Sequence, residues 1–457
     1  MSGYLDDIVS CICHSTFDDL PERTVARAKD VMADTLAVIA TGAQEEEVKA
    51  LTQRIAGPGS SAAATLIGSG VRTESVKAAL INGTAGTSLE LDEGNQFARG
   101  HPAIHVVPAV LAVAEENNLS GSEVLNALIW GYEIGARIGI SSRIRMSMHP
   151  HGTWGTVGAA VAVGKLMHYE EHAMKQMINV SSSLTLATSR CTMLEGGTVR
   201  NAYAGVSGYM GILAHHLVQS GFTGETDGLG SVFGSVVSET FSPEEMTEDL
   251  GKRFEIARNY FKQHACCRYN HSTVDAISSV TAKTPEGRIE PERIAKVEVE
   301  TYSLAAQLCD QNPQNTLAAK FSIPFAVATF IVHGHAGVSS FTPQAIDDPV
   351  SKALTQQVSV SEDPGFTAML PGHRPARVRV ILTDGTVLEA EKFTNKGDPE
   401  DPYGPEELEM KYFELTERVW NREVAGAIYN DVMSLDELDN INQLTARMPP
   451  GVEYKEA

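Results

Sequence analysis

The chain of 457 residues carries 36 Lys and Arg against 58 Asp and Glu, a formal net charge of −22, and such a surface repels phosphate backbones, which argues against nucleic-acid binding. Its length exceeds one ordinary domain, so two domains and a large buried core are expected. Hydrophobic residues at 42% and charged residues at 21% are the composition of a soluble globular protein, although net charge leaves room for a locally cationic pocket.

The N-terminal stretch Met1-Ser2-Gly3-Tyr4-Leu5-Asp6-Asp7 has no basic region followed by an apolar one, so no secretory signal is read there. No apolar run reaches the roughly 18 residues that span a bilayer. The six cysteines, including the adjacent pair Cys266-Cys267, are too sparse for a disulfide framework. A reduced, cytoplasmic protein without membrane association is expected.

The first 250 or so residues read as helix after helix. Pro21-Glu22-Arg23 opens one, with Val25, Ala28, Val31, Met32, Leu36 and Ile39 at helical spacing. A second covers His105 to Glu116. A third begins at Ser120, three positions before Glu123, the spacing of a capping box. The small-residue run from Gly155 to Gly164 predicts a helix whose neighbours approach closely at the centre. After residue 260 the period changes. Val297, Val299 and Thr301 alternate with Lys296, Glu298 and Glu300, Arg377-Val378-Arg379-Val380 does the same, and Thr383-Asp384-Gly385-Thr386 is a hairpin turn. Ser322 to Val332 is helical, 396–405 is a turn-rich linker, and helix returns from Glu406. The expected fold is mainly α: a large all-helical domain formed by both chain ends (1–259 and 395–457) with a smaller α+β domain (260–394) inserted.

Three generic motifs are set aside. His168-Tyr169-Glu170-Glu171-His172 matches a zinc-protease pattern but straddles the join between two helices and has no evident third ligand. Cys11-Ile12-Cys13-His14 has the wrong spacing for structural zinc and reads as a helix face with core cysteines. The glycine-rich 228–234 lacks the preceding strand of a dinucleotide fingerprint and reads as a turn. No metal and no organic cofactor is expected, which leaves acid–base chemistry by side chains.

Four polar clusters interrupt the apolar helical pattern. They are Leu89-Glu90-Leu91-Asp92-Glu93-Gly94-Asn95 leading to Gly100-His101-Pro102; His149-Pro150-His151-Gly152-Thr153; Arg200-Asn201-Ala202-Tyr203-Ala204-Gly205; and Tyr260-Phe261-Lys262 leading to Cys266-Cys267-Arg268-Tyr269. His101 and His149 precede prolines where helices would begin, and a helix N-terminus lowers an imidazole's pKa, which suits a neutral base. Arg200 and Lys262 are cations suited to clamping carboxylates. Two imidazoles, two or three cations and two acids are the set that proton abstraction beside a carboxylate needs.

At these residues, and at Phe321-Ser322-Ile323-Pro324-Phe325, the sequence resembles the MmgE/PrpD family over nearly its whole length. The family includes 2-methylcitrate dehydratase, cis-aconitate decarboxylase and iminodisuccinate epimerase. The resemblance implies a helical domain from both chain ends capped by an α+β lid, an active site in the cleft between them without metal or cofactor, and a homodimer. It places the catalytic residues at His101, His149 and Lys262 with an acid at Glu90 or Asp92; substrate contacts are expected at Arg200, Tyr203, Arg268, Phe325 and His151. This chain departs from the decarboxylase and dehydratase branch in having Arg200 for a lysine, Gly94 for a threonine and Phe325 for a tyrosine. A dehydratase acting on a small anionic di- or tricarboxylate is the leading expectation. His149 or His101 is its base and the other imidazole assists loss of the hydroxyl. Epimerisation is the runner-up, decarboxylation is disfavoured by Phe325, and a non-catalytic helical scaffold is the rival of another class.

Overall fold

The computed structural model describes residues 3–56 and 62–451. Six helices build the centre: α1 (Glu22–Gly42), α2 (Ser75–Ser88), α3 (Pro102–Asn117), α4 (Gly121–Ser141), α5 (Trp154–Leu166) and α6 (Tyr203–Gln219). The protein is mainly α. Helix α5 is buried along all but one position, because its glycines and alanines let neighbours close in. A Cβ on Gly131 in α4 would stand 2.7 Å from the Gly158 carbonyl of α5, and one on Gly158 would stand 2.7 Å from the Gly131 carbonyl. Ser120 caps α4 as its spacing predicts, exchanging hydrogen bonds with Glu123. The helix α9 (Pro405–Thr416) lies on α1, where Lys411 Nζ meets Asp34 Oδ1 at 2.5 Å and Thr41 Oγ1 donates to the Leu415 carbonyl at 2.9 Å.

Between these ends lie α7 (Arg268–Thr281), α8 (Ile323–His333) and a four-stranded sheet. Its strands are β1 (Ile294–Thr301), β2 (Val358–Glu362), β3 (Ala376–Leu382) and β4 (Val387–Lys392), in spatial order β2-β1-β3-β4. β1 pairs parallel with β2 and antiparallel with β3, and β3 pairs antiparallel with β4 across the 383–386 turn. Burial alternates strictly along β3, as its period-two pattern predicts. Helix α7 covers one face of β3 and β4.

Four expectations are corrected. Two small two-stranded sheets, Ala64–Leu66 with Val71–Thr73 and Ser142–Ile144 with Ser238–Phe241, interrupt the helical series; three- and four-residue strands are too short to show a period. β2 also passed unread, although Val358-Ser359-Val360-Ser361 alternates over its five residues. Residues 228–234 are helical rather than a turn, with Asp227 capping Gly230 N–H. His101 does stand at the N-cap of α3, but His149 lies in a loop ahead of α5, whose cap is Thr153. Among the described residues no helix is long and apolar enough to cross a membrane.

Candidate active site

A cleft is lined from one side by Glu90, His101, His149, His151, Arg190 and Arg200, and from the other by Tyr260, Cys267, Arg268, Tyr269, Phe321 and Arg374. Five arginines, Arg99, Arg190, Arg200, Arg268 and Arg374, line this one small cavity in a protein of net charge −22, which suits it to an anion.

The loop between α2 and α3 supplies the acids. Glu90 takes a left-handed backbone (φ 53°), a conformation non-glycine residues hold only where the surroundings enforce it, and its buried carboxylate lies 2.7 Å from Arg200 Nη1 and 3.3 Å from Lys262 Nζ. Burial alone would raise its pKa, but Arg200 and Lys262 outweigh burial and hold it well below the ordinary range, so Glu90 is an anion at any working pH. Asp92 is shifted the other way, raised by burial although Lys262 lies 3.8 Å off. Lys262 is wholly buried beneath the cleft and also donates to the Glu90 carbonyl at 3.0 Å. It sets the local field and does not line the pocket.

The hydrogen bonds of the two pocket imidazoles differ. His101 Nδ1 lies 2.7 Å from the Glu93 carbonyl, and a carbonyl only accepts, so Nδ1 carries the proton and Nε2 is a bare lone pair. Asp92 Oδ2 stands 3.2 Å from the same Nδ1. His149 Nδ1 instead accepts the backbone N–H of His151 at 3.1 Å, so the neutral ring carries its proton on Nε2. Burial, reinforced by Lys262, lowers the His101 pKa to about 3; burial, reinforced by Arg200, pushes His149 well below the usual imidazole range. Both rings are neutral in the free protein. An anion entering the cleft would oppose that shift and raise their proton affinity.

His151 packs edge-on against His101, His105 and His149 at centroid distances of 4.8–5.0 Å, and neither of its buried ring nitrogens has a partner among the described residues. His105 donates Nδ1–H to the His101 carbonyl at 2.7 Å and props the cluster from behind. Arg268 is committed through its terminal nitrogens, Nη2 donating to Asp398 at 2.6 Å and Nη1 meeting His271 at 2.9 Å, while its buried Nε has no partner among the described residues. Arg200 is not. Its guanidinium faces Phe321 at 5.3 Å, and Nε and Nη1 are buried without hydrogen bonds to the described residues, the Glu90 contact being an ion pair of poor hydrogen-bond geometry. Arg190 likewise holds buried Nε and Nη2 without partners.

Of the residues singled out in the sequence, Glu90, His101, His149, His151, Arg200 and Arg268 line the cleft, with Asp92 and Lys262 directly behind it. Two do not reach it. Tyr203 stands behind His149 at 6.0 Å with its hydroxyl turned to Thr192, and Phe325 is buried against Phe341, so Phe321 meets Arg200 instead. With Phe325 out of the cleft, its missing hydroxyl no longer counts against decarboxylation. Arg99, Arg190, Arg374 and His105 sit in stretches whose pattern differs in nothing from ordinary surface or core and were not singled out, while Tyr260 stood in the fourth polar cluster without a role of its own.

The sequence matches the model of the MmgE/PrpD N-terminal domain over residues 6–244 and of the MmgE/PrpD C-terminal domain over residues 264–435. It is similar to cis-aconitate decarboxylase of Aspergillus terreus, 25% identical over 97% of this chain and 95% of that protein. It is also similar to cis-aconitate decarboxylase-like protein oryM of Aspergillus oryzae, at 24% over 94% and 93%, and to cis-aconitate decarboxylase of Mus musculus, at 24% over 93% and 89%.

Proposed function

Since the chain belongs to the MmgE/PrpD family, we propose that it is a lyase breaking a bond next to a carboxylate of a small di- or tricarboxylate, with elimination of water as its reaction. The observation that carries this reading is the bare Nε2 of His101, aimed into a cleft lined by unpartnered arginine N–H groups. Arg200 and Arg190 hold the substrate carboxylates. His101 Nε2 takes the proton from the carbon beside one of them, and the C–H electrons form the double bond as the neighbouring C–O bond breaks. The departing hydroxide leaves as water with the proton that His101 gained, which restores the free enzyme. His149 offers Nε2–H to the carboxylate on which charge accumulates. Full transfer of that proton would leave an imidazolate, because its Nδ1 is occupied as an acceptor; His149 therefore serves as a neutral donor and not as the acid. The acidic loop orients the pair, and 260–394 serves as a lid over a helical body of 1–259 and 395–457.

A second reading, decarboxylation, is favoured by the names of the relatives. There the substrate's anionic charge first draws a proton onto His101, which then passes to the carbon that has lost carbon dioxide. Incubation with citrate, methylcitrate and aconitate separates the two by alkene absorbance against released carbon dioxide. His101→Gln should lower turnover on the order of a thousandfold, and His149→Gln about a hundredfold. A wild-type protein that neither converts nor binds any polycarboxylate would end the lyase reading.

A further inference from the structure

Tyr260 lies at the mouth of the 260–394 segment, two residues before Lys262. Its backbone pairs with Gly94, Tyr260 N–H donating to the Gly94 carbonyl at 2.7 Å and Gly94 N–H to the Tyr260 carbonyl at 3.0 Å. That pairing lays the phenol tip directly over Gly94: a Cβ built there would stand 2.4 Å from the Tyr260 hydroxyl oxygen and 2.5 Å from Cζ. Any side chain at 94 would drive the ring away, so glycine at 94 and tyrosine at 260 form one steric unit. The Arg268 guanidinium covers the ring face at 4.4 Å, itself tied by Asp398, and His101 meets the ring edge-on at 6.1 Å. The ring is held on several sides and is 3% exposed. Its hydroxyl nevertheless makes no hydrogen bond to any described residue, and the side chain lines the cleft beside Glu90, His101 and Arg374.

The hydroxyl oxygen is not sealed off within the protein as that of Tyr302 is, and a rigidly mounted hydroxyl on a side chain that lines an anion pocket is a donor free to meet an acceptor on a ligand. We propose that the Tyr260 hydroxyl donates a hydrogen bond to an oxygen of the bound polycarboxylate and selects substrates that place an oxygen at that point. Burial holds the phenol well above its usual range, so it remains a neutral donor wherever the enzyme works. Its role complements the arginines, which recognise charge; the phenol recognises the position of one oxygen. The proposal rests on the polycarboxylate reading of the cleft.

Tyr260→Phe keeps the ring and removes only the hydroxyl. The expected result is a fall of about ten- to a hundredfold in kcat/KM on the best polycarboxylate of the panel, with the unliganded Tm close to that of wild type and the citrate-induced Tm shift reduced. A variant with wild-type kcat/KM overturns the proposal. So does one that loses activity together with unliganded Tm, which would assign the hydroxyl to packing. Gly94→Ala, which displaces the phenol tip, is expected to lower kcat/KM in the same direction, and normal activity there also overturns it. If wild type converts none of the acids, the lyase reading fails instead. Citrate thermal shifts of wild type and Tyr260→Phe then still test the hydrogen bond: a smaller shift in the variant supports it and equal shifts overturn it.

Discussion

Two buried arginines of this protein, Arg137 and Arg200, are treated in opposite ways. Arg137 in α4 meets Glu133 at 2.5 Å and gives its remaining N–H groups to the carbonyls of Glu245, Met246, Glu248 and Arg253. Arg200 is equally buried, also has a glutamate at its side, and keeps buried N–H groups without an acceptor. The carboxylates differ in parallel. Burial raises Glu133 to about 7 against the pull of one cation, Arg137, and of the Glu255 backbone N–H, whereas two cations hold Glu90 low. A saturated cation joins chain segments. An unsaturated one, sustained by a dense surrounding structure, is left with donors to offer, which is the role proposed for Arg200, because a buried donor without an acceptor is stable only where the rest of the fold carries its cost.

The contrast breaks most visibly at Arg137. Arg137→Met should lower unfolding free energy by about 3–5 kcal/mol, since it strands Glu133 and several carbonyls, read as a shift in urea midpoint. Arg200→Met should move the midpoint far less, because Glu90 keeps Lys262, while turnover falls on the order of 10²- to 10³-fold and the citrate-induced Tm shift disappears. Equal stability losses in the two variants would erase the distinction.

Glu133 sharpens it further. A carboxyl near 4.5 in the unfolded chain and about 7 in the folded one binds more protons when folded. Its contribution is therefore complete below pH 4.5 and is lost as pH rises through 7. Glu133→Gln should gain on the order of 1–3 kcal/mol relative to wild type between pH 5 and pH 8.5; a difference that does not change with pH would show that Glu133 is ionised throughout. The smallest effect is expected from Arg200→Lys, which keeps charge and loses the planar fork, raising KM for a tricarboxylate about tenfold with kcat little changed.

Local pattern carried much of the fold. The capping box at Ser120, the alternation of β1 and β3, the 383–386 hairpin and the glycine-rich α5 all follow from residues within one or two turns of one another, the range over which periodicity and propensity act. The candidate site was legible where chemistry concentrates in short runs, at Glu90, Asp92, His101, His149, His151 and Arg200. Tyr203 and Phe325 belonged to the same runs and yet face away, since spacing alone does not say which side of a short helical turn meets the cleft.

Only the tertiary structure decided which donors are left over. Whether Arg190 or Arg137 has spare N–H groups, which nitrogen of His101 or His149 bears the proton, and why Gly94 must lack a side chain all depend on carbonyls and rings contributed by distant segments. The sequence by itself determined the kinds of groups present and the helices and strands that bear them. Hydrogen-bond saturation is settled by non-local geometry, since the acceptors that fill Arg137 and the lack of them at Arg200 both come from segments distant in sequence.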